Sequence, residues 1–491
     1  MIKLHNTLTD RREELKTIVS SEVRIYCCGP TVYDHAHIGN LSAYLFTDLL
    51  KRYLRYRGFE VKDVMNLTDV DDKTINASRD QGTSLEEYTQ FYTDVFLRDL
   101  AKLNMMRPGV LCKATDHITE MIELVQLLLD KGYAYQSSDG SVYFSISALE
   151  SYGALSGVEL DDLRTNAGCR LNTDEYEKEE AADFVLWKAR SPEDGEVYWP
   201  APFGEGRPGW HIECSAMSMK YLGDAFDIHA GGCDLVFPHH ENEIAQSRAA
   251  TGELLANYWF HNGHLTVDGR KMSKSAGNFY TLRDIEQELD DLSAFRYLIL
   301  SHHYRSGVNF TWSSLQAAVN SLQRLRNFIG RLEEAVKTGS DNNGLTTEVD
   351  EGLVRARQQF QQAMDDDLDT PSALASLWEL VREMNTLIDE GRFNATDAEA
   401  TLKLLAEQDR VWGCLFYQDE KRGLSKEQKE EIEDLIRQRA QMRHEKRWQE
   451  ADQLRERLEE KGVMIKDRGS ETVWQIGGKS FVYSQQQDLD S

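Results

Sequence analysis

The hydrophobic period changes twice within the first 70 residues, and that limits the architectures open to this chain. Residues 22–28 form a short apolar-rich run that stops at Gly29 and Pro30, as a strand would. Leu41, Tyr44, Leu45, Leu49, Tyr53 and Leu54 then recur at helical spacing until Gly58, and residues 59–67 return to alternation. Strand, loop, helix and strand in so short a stretch predict a βαβ unit. Such a unit commits the chain to an α/β fold with a parallel sheet, and places a ligand site at the carboxyl ends of its strands.

Further along, residues 84–103 and 116–131 read as amphipathic helices. From about 133 to 208 short strand-like pieces such as 141–146 mix with loops, and 161–196 holds 11 acidic against 5 basic residues. This reads as an insertion in the sheet domain. Ala230, Gly231 and Gly232, with Phe237 and Pro238, predict a turn before a helix starting near His239. Residues 284–336 are mostly helical by pattern. After a polar break at 338–344, a second helical block runs to about Gly413, with Thr370 as an N-cap and Pro371 as a first helical residue. A charged joint at 419–425 leads to a last helical stretch, a strand-like 463–475 and a polar tail at 484–491.

The length of 491 residues leaves room for about three or four domains. A net charge of −27 argues against a protein that coats nucleic acid by bulk attraction, though not against one basic domain. No apolar run reaches the ~18–20 residues of a membrane helix, and the first ten residues do not read as a signal peptide. Seven cysteines, an odd number thinly spread, fit a reduced compartment and predict a cytoplasmic protein whose thiols are core residues or metal ligands.

Two loops carry phosphate chemistry. The segment from Cys28 to Asn40 joins the first strand to the first helix, whose free N–H groups and dipole favour an anion. Within it Gly39 lets backbone approach a ligand, while His35 and His37 can donate to phosphate oxygens. The second loop, 268–278, places Arg270, Lys271, Lys274, Ser273 and Ser275 between glycines. A mobile loop of that kind can neutralise the charge on a leaving pyrophosphate.

His239 and Glu243 are four residues apart, so both can face one metal ion. Two ligands do not complete a site, so thiolates must come from elsewhere. Cys28 ends the first strand, and Cys214 follows Gly209, Trp210, His211, Ile212 and Glu213. Cys27 and Cys28 face opposite sides of a strand, so only one of them can enter. Residues 436–468 hold 10 basic against 7 acidic residues with Trp448 among them, a pattern able to stack a splayed base and contact phosphates.

These segments carry a resemblance. His37-Ile-Gly-Asn40 resembles the HIGH signature, and Lys271-Met-Ser-Lys-Ser275 is an intact KMSKS signature, of class I aminoacyl-tRNA synthetases; their order and separation of about 230 residues also match. Asn40 stands where the class usually carries His, so its amide must donate in place of an imidazole. Within the class, Cys-Gly-Pro-Thr-Val-Tyr-Asp at 28–34, Pro-Gly-Trp-His-Ile-Glu-Cys-Ser-Ala-Met at 208–217 and Phe-Pro-His-His-Glu-Asn-Glu-Ile-Ala-Gln at 237–246 are similar to the cysteinyl-tRNA synthetase family.

The resemblance implies a Rossmann-like catalytic domain at 1–132 and 209–310, a connective insertion at 133–208, an α-helical domain at 311–420 and an anticodon-binding unit at 421–491. It implies ATP-dependent activation of L-cysteine to cysteinyl-adenylate, with release of pyrophosphate, and transfer to the terminal adenosine of tRNA(Cys). His37, Asn40, Lys271 and Lys274 would act in catalysis, with His37, Gly39, Asn40 and Lys274 on ATP and Mg2+ accompanying it. One zinc ion per chain would be held by Cys28, Cys214, His239 and Glu243, leaving Cys27 and Cys233 to packing. Zinc prefers thiolate to hydroxyl, so it would select cysteine over serine without an editing domain. Thr68, Asp69, Trp210, His229 and Asp234 would line the amino acid. The family's helical domain is matched at 360–374, whose acidic run 365–369 reads as a turn and cap. Arg443, Trp448, Asp452 and Asp467 would read the anticodon. A monomer that contacts no membrane is expected. Two alternatives remain: a cysteine ligase acting on a small amine, which would not need residues 345–491, and a non-catalytic RNA-binding paralogue.

Overall fold

The computed structural model describes residues 1–158, 183–339, 344–417, 426–461, 463–468, 471–476 and 479–484. Much of the acidic stretch of the insertion, the charged joint and the polar tail therefore lie outside the described residues. The chain forms two compact units, one of Met1–Leu282, Ile299–Thr311 and Gln358–Ser376, the other of Arg283–Leu298, Trp312–Arg357 and Leu377–Ser491.

The first unit opens with an antiparallel pair, β1 (Lys3–Asn6) and β2 (Arg11–Glu14). β3 (Glu22–Cys27), helix α1 (Ile38–Tyr56) and β4 (Glu60–Leu67) form the βαβ unit read from the sequence, and β5 (Val110–Lys113) follows. A second, four-stranded sheet comprises β6 (Ala134–Gln136), β7 (Val142–Phe144), β8 (Phe184–Ala189) and β9 (Gly206–Pro208). β10 (Phe226–Gly232) and β11 (Ala256–Asn262) then complete the central sheet in the order β11-β10-β3-β4-β5, parallel throughout. From β3 the chain first continues to β4 on one side and only later returns to β10 on the other. The crevice at the carboxyl ends of β3 and β10 is thus a topological switch point, where ligands of open α/β sheets bind.

β3 is fully buried at Val23, Ile25 and Tyr26, as a strand covered on both faces must be. α1 turns Leu41, Leu45, Phe46, Leu49, Leu50, Tyr53 and Leu54 inward, and Gly58 at φ +89° lets the chain leave it. The predicted helices appear as Leu85–Lys102 and Ile118–Asp130. The helix Asp72–Gln81 has no counterpart in the sequence pattern; it buries only Thr74, Ile75 and Ser78, too few apolar residues to show a period.

Two expectations are corrected. Ala230, Gly231 and Gly232 are not a turn but the end of β10, all three paired with β11 and Ala230 also with Cys27 of β3. The glycine is required there because a Cβ on Gly231 would lie 2.7 Å from Cε1 of His240. In the second correction, the cap of the helix Thr370–Asp389 is Asp369 rather than Thr370: its Oδ1 accepts the Ser372 N–H at 3.1 Å and its Oδ2 the Ser372 hydroxyl at 2.7 Å. The acidic run around it is structural, since Asp365 accepts from the Tyr53 hydroxyl at 2.6 Å and Asp367 from the His5 N–H at 2.7 Å. The helical reading of 284–336 is also interrupted, by β14 (Val308–Phe310), which pairs with β12 (Leu265–Val267), itself antiparallel to β13 (Arg270–Lys271).

The second unit contains the helices Trp312–Thr338 and Ala395–Trp412, then Lys426–His444 and Trp448–Glu460. The strand-like 463–475 is two strands, β15 (Met464–Arg468) and β16 (Glu471–Ile476), joined by an unforeseen third, β17 (Lys479–Ser484). Ile432, Leu435, Ile436, Leu458, Val463 and Trp474 form their common core.

Candidate active site

At the switch point β3 ends with Cys27 and Cys28 on opposite faces. Cys27 turns to the Thr47 hydroxyl at 3.8 Å, whereas the Cys28 Sγ lies 3.8 Å from the Cys214 Sγ and 3.7 Å from Glu243 Oε1. Cys214 comes from the first turns of the helix Trp210–Leu222, and Glu243 from those of Glu241–Thr251. His239 Nε2 reaches Glu243 Oε1 at 3.0 Å. One donor atom from each of Cys28, Cys214, His239 and Glu243 lies within 4.8 Å of the others, and all four residues are buried.

This donor set fits zinc. Two thiolates bonded at about 2.3 Å to one tetrahedral ion stand about 3.8 Å apart, the Sγ separation seen here. The electrostatics agree. Burial would lower His239, but Glu243 and Cys214 raise it to about 10. Burial would raise Glu243 and Cys214, yet His229 and His239 hold the first at about 2, and bonds from Cys28 and His239 draw the second to about 6. Cys28, by contrast, is pushed well up by burial and by its bond to Cys214.

Further imidazoles surround it. His229, expected on the substrate side, has its Nε2 2.9 Å from Glu243 Oε2 and stacks on Trp259 at 4.6 Å. Cys28, His229, His240 and Glu243 make a second donor set sharing two residues with the first. His211 Nδ1 contacts His239 Nδ1 at 3.0 Å, and His240 Nδ1 contacts His261 Nε2 at 2.7 Å. Sequence reasoning missed His211, His240 and His261. Only the crowding of His with Trp and Glu in the motif segments could have flagged the first two.

Of the other expected substrate residues, Trp210 lies over His239 with centroids 4.2 Å apart. The Thr68 hydroxyl donates to Glu213 Oε2 at 2.8 Å, and Asp69 is engaged by Thr115, so neither side chain stands alone. Asp234 is exposed and groups with Cys233 and His264 rather than with the four buried donors.

The two phosphate loops meet. His37 caps α1: its Nδ1 accepts the Asn40 N–H at 3.1 Å, while its own N–H donates to Asn40 Oδ1 at 3.2 Å. Ile38 N–H donates to the Tyr280 carbonyl at 2.9 Å, and the His37 ring meets Phe279 edge-on at 5.4 Å. Lys274 Nζ lies 2.6 Å from Asp34 Oδ2 and 5.3 Å from the Phe279 ring centroid. A Cβ on Gly39 would lie 2.9 Å from Cε of Met272, so the second loop closes directly over the first. Lys271 is exposed, its carbonyl accepting from Asn278 Nδ2 at 3.1 Å. Asp34 is absent from the residues expected here, and nothing in its spacing marks it.

In the second unit Trp448 is 57% exposed, and the tryptophan packed in the core with Ile432, Leu435, Ile436, Leu458 and Val463 is Trp474. Arg443 is depressed by partial burial and by Arg439 and Arg455, with Asp452 acting the other way, which places these four charges together. The Asp467 side chain lies outside the described residues.

A parallel sheet with these two loops folded together at its switch point is the architecture of class I aminoacyl-tRNA synthetases. The family described as "tRNA synthetases class I (C) catalytic domain" matches residues 14–320, with a DALR domain at 359–415 and a "Cysteinyl-tRNA ligase anticodon binding domain" at 425–474. The chain belongs to the cysteine–tRNA ligase family. It is 44% identical over 467 residues to the cysteine–tRNA ligase of Protochlamydia amoebophila, covering 95% of this chain and 96% of the relative. The corresponding protein of Brachyspira hyodysenteriae is 45% identical over 477 residues (96% and 99%), and that of Chlamydia muridarum 46% over 474 (94% and 97%). The fold is shared with Mycobacterium tuberculosis methionyl-tRNA synthetase in complex with methionyl-adenylate, at TM-score 0.62 and 16% identity over 80% of this chain and 92% of that one.

Proposed function

We propose that the chain joins L-cysteine to tRNA(Cys) in two steps at the crevice between β3 and β10, with zinc held by Cys28, Cys214, His239 and Glu243. The observation that carries this reading is the buried pair of thiols, 3.8 Å apart, at the same sheet end that bears the His37 loop. When bound, zinc supplies a borderline-soft centre that favours a thiolate over a hydroxyl.

The chain's own residues do the rest by positioning and charge. Cysteine's carboxylate attacks the α-phosphorus of ATP, pyrophosphate leaves, and the terminal adenosine hydroxyl of tRNA then takes the cysteinyl group with release of AMP. His37, Asn40 and the backbone near Gly39 hold the phosphates at the α1 N-terminus. Lys271 and Lys274 neutralise charge on the departing pyrophosphate, with Mg2+ on ATP. Trp210, His229, Thr68 and Asp234 frame the amino acid. No covalent enzyme intermediate is needed.

The anticodon contacts fall to Arg443, Trp448, Asp452 and Asp467, and the match over 425–474 favours tRNA over a small-amine acceptor. No described helix is long and apolar enough to cross a membrane; a cytoplasmic monomer is part of this reading. Metal analysis combined with pyrophosphate exchange on cysteine and on serine, followed by charging of tRNA, tests it. Exchange with serine as fast as with cysteine would overturn the selective role of the metal.

A further inference from the structure

Glu213 lies in the first turn of the helix Trp210–Leu222, next to Cys214, and its side chain is wholly buried. Its Oε2 accepts the Thr68 hydroxyl at 2.8 Å. Asn66 Nδ2 donates to the same Thr68 oxygen at 3.3 Å, and Asn66 Oδ1 accepts the Gly29 N–H at 2.8 Å. Gly29, Asn66, Thr68 and Glu213 therefore form one unbroken relay across three segments. Its two ends are the chain neighbours of Cys28 and Cys214.

Asn66 and Thr68 are each 1% exposed, so water does not compete for these bonds. In such surroundings a made bond is strengthened and an unmade one is costly. Glu213 Oε1 has no hydrogen-bond partner among the described residues, so Thr68 supplies the hydrogen bond to this carboxyl. An apolar side chain would occupy the place without the desolvation that a carboxyl incurs. The retained acid is explained if the bond it accepts is needed for geometry.

Resting on the reading of Cys28 and Cys214 as zinc ligands, we propose that Glu213 is a positioning residue. Acting through Thr68 and Asn66, it fixes the strand end that carries Cys28 against the helix that carries Cys214. It thereby sets metal retention and cysteine affinity, and leaves ATP affinity alone.

Glu213→Gln keeps an acceptor for Thr68, whereas Glu213→Met keeps the bulk and removes it. Zinc release from the full-length protein to a chromophoric chelator is timed, and KM for cysteine and for ATP is read by pyrophosphate exchange. The Met variant is expected to release zinc about 10–100-fold faster and to raise the cysteine KM by about tenfold, with the Gln variant near wild type. Unchanged zinc release in the Met variant, or an ATP KM that rises as much as that for cysteine, overturns the proposal. Should Glu213→Met not fold, Thr68→Val cuts the relay in its middle and Thr68→Ser restores it. Faster zinc release in Thr68→Val, reversed in Thr68→Ser, supports the proposal; unchanged release in Thr68→Val overturns it. Wild-type protein without bound zinc, or without cysteine-dependent exchange, would instead sink the functional reading on which this rests.

Discussion

Lys274 Nζ and Asp34 Oδ2 are 2.6 Å apart, so one ion pair ties the Lys271–Ser275 signature to the loop that follows β3. The lysine side chain is 66% exposed and the aspartate 33%, which limits the pair to about 1 kcal/mol or less. If Lys274 binds phosphate as proposed, Asp34 competes weakly for the same ammonium. Asp34→Asn should lower the KM for ATP by up to about fivefold, the factor that about 1 kcal/mol allows. Lys274→Ala should cut the exchange kcat by about 10²–10³, as removal of a charge-stabilising donor does, with cysteine KM unchanged. A raised ATP KM in Asp34→Asn would show that the pair helps ATP binding instead.

Loss of a ligand should empty the metal site. Cys214→Ala or His239→Ala is predicted to release about one equivalent of zinc and to raise the cysteine KM by at least about tenfold, well beyond any change for ATP. Elemental analysis of purified variants, with exchange kinetics, checks this; full metal content with normal cysteine affinity would remove these residues from the site.

Trp448 offers an exposed ring at the start of the helix that carries Asp452. Trp448→Ala should raise the KM for tRNA by about 10–100-fold, the worth of about 1–3 kcal/mol of base stacking, and leave pyrophosphate exchange untouched. Charging kinetics at fixed ionic strength measure the first quantity. A matching fall in exchange would point to damage beyond the anticodon unit.

Acid should weaken the fold through His261. Burial, then the neighbouring His229 and His5, holds this imidazole down to about 3, while an unfolded histidine titrates near ~6.5. The folded state keeps it neutral, so its contribution is complete above about pH 6.5 and lost as pH falls towards 3. Across that window this one group should give a slope of about 1.4 kcal/mol per pH unit. Urea melts of His261→Gln should show a shallower acid limb than wild type, whatever the change in absolute stability. Parallel limbs would rule the assignment out.

The β3–α1–β4 unit is legible in the sequence because a buried parallel strand and an amphipathic helix each impose a period, and Gly58 punctuates them. The alternation of Cys27 and Cys28 across β3 likewise follows from strand geometry alone. The end of β10 at Ala230–Gly232 reads as a turn because glycine ordinarily marks one, and what demands it is the His240 ring, remote in sequence. The Asp369 cap is hidden because Thr370 and Pro371 make an equally good local pattern; only the Ser372 bonds distinguish them. The imidazoles around Glu243 are illegible for another reason. His229 enters only through the family resemblance. His211, His240 and His261 come from three elements, and no spacing rule spans the helix Trp210–Leu222, the helical turn Val236–His240 and β11. The same holds for Asp34, whose partner lies 240 residues away.

The cap at the start of α1 decides where a proton sits. Because His37 Nδ1 accepts the Asn40 N–H, that nitrogen carries no hydrogen, and the neutral ring must bear its hydrogen on Nε2. Burial favours that neutral ring by pulling the imidazole below its ordinary range, against the pull of Asp234. His37 therefore holds a single tautomer, and under the proposed function its Nε2–H is the donor available to a phosphoryl oxygen. Asn40, which departs from the usual signature, keeps that tautomer through its backbone, so any residue able to start the helix in the same way would serve this role equally well.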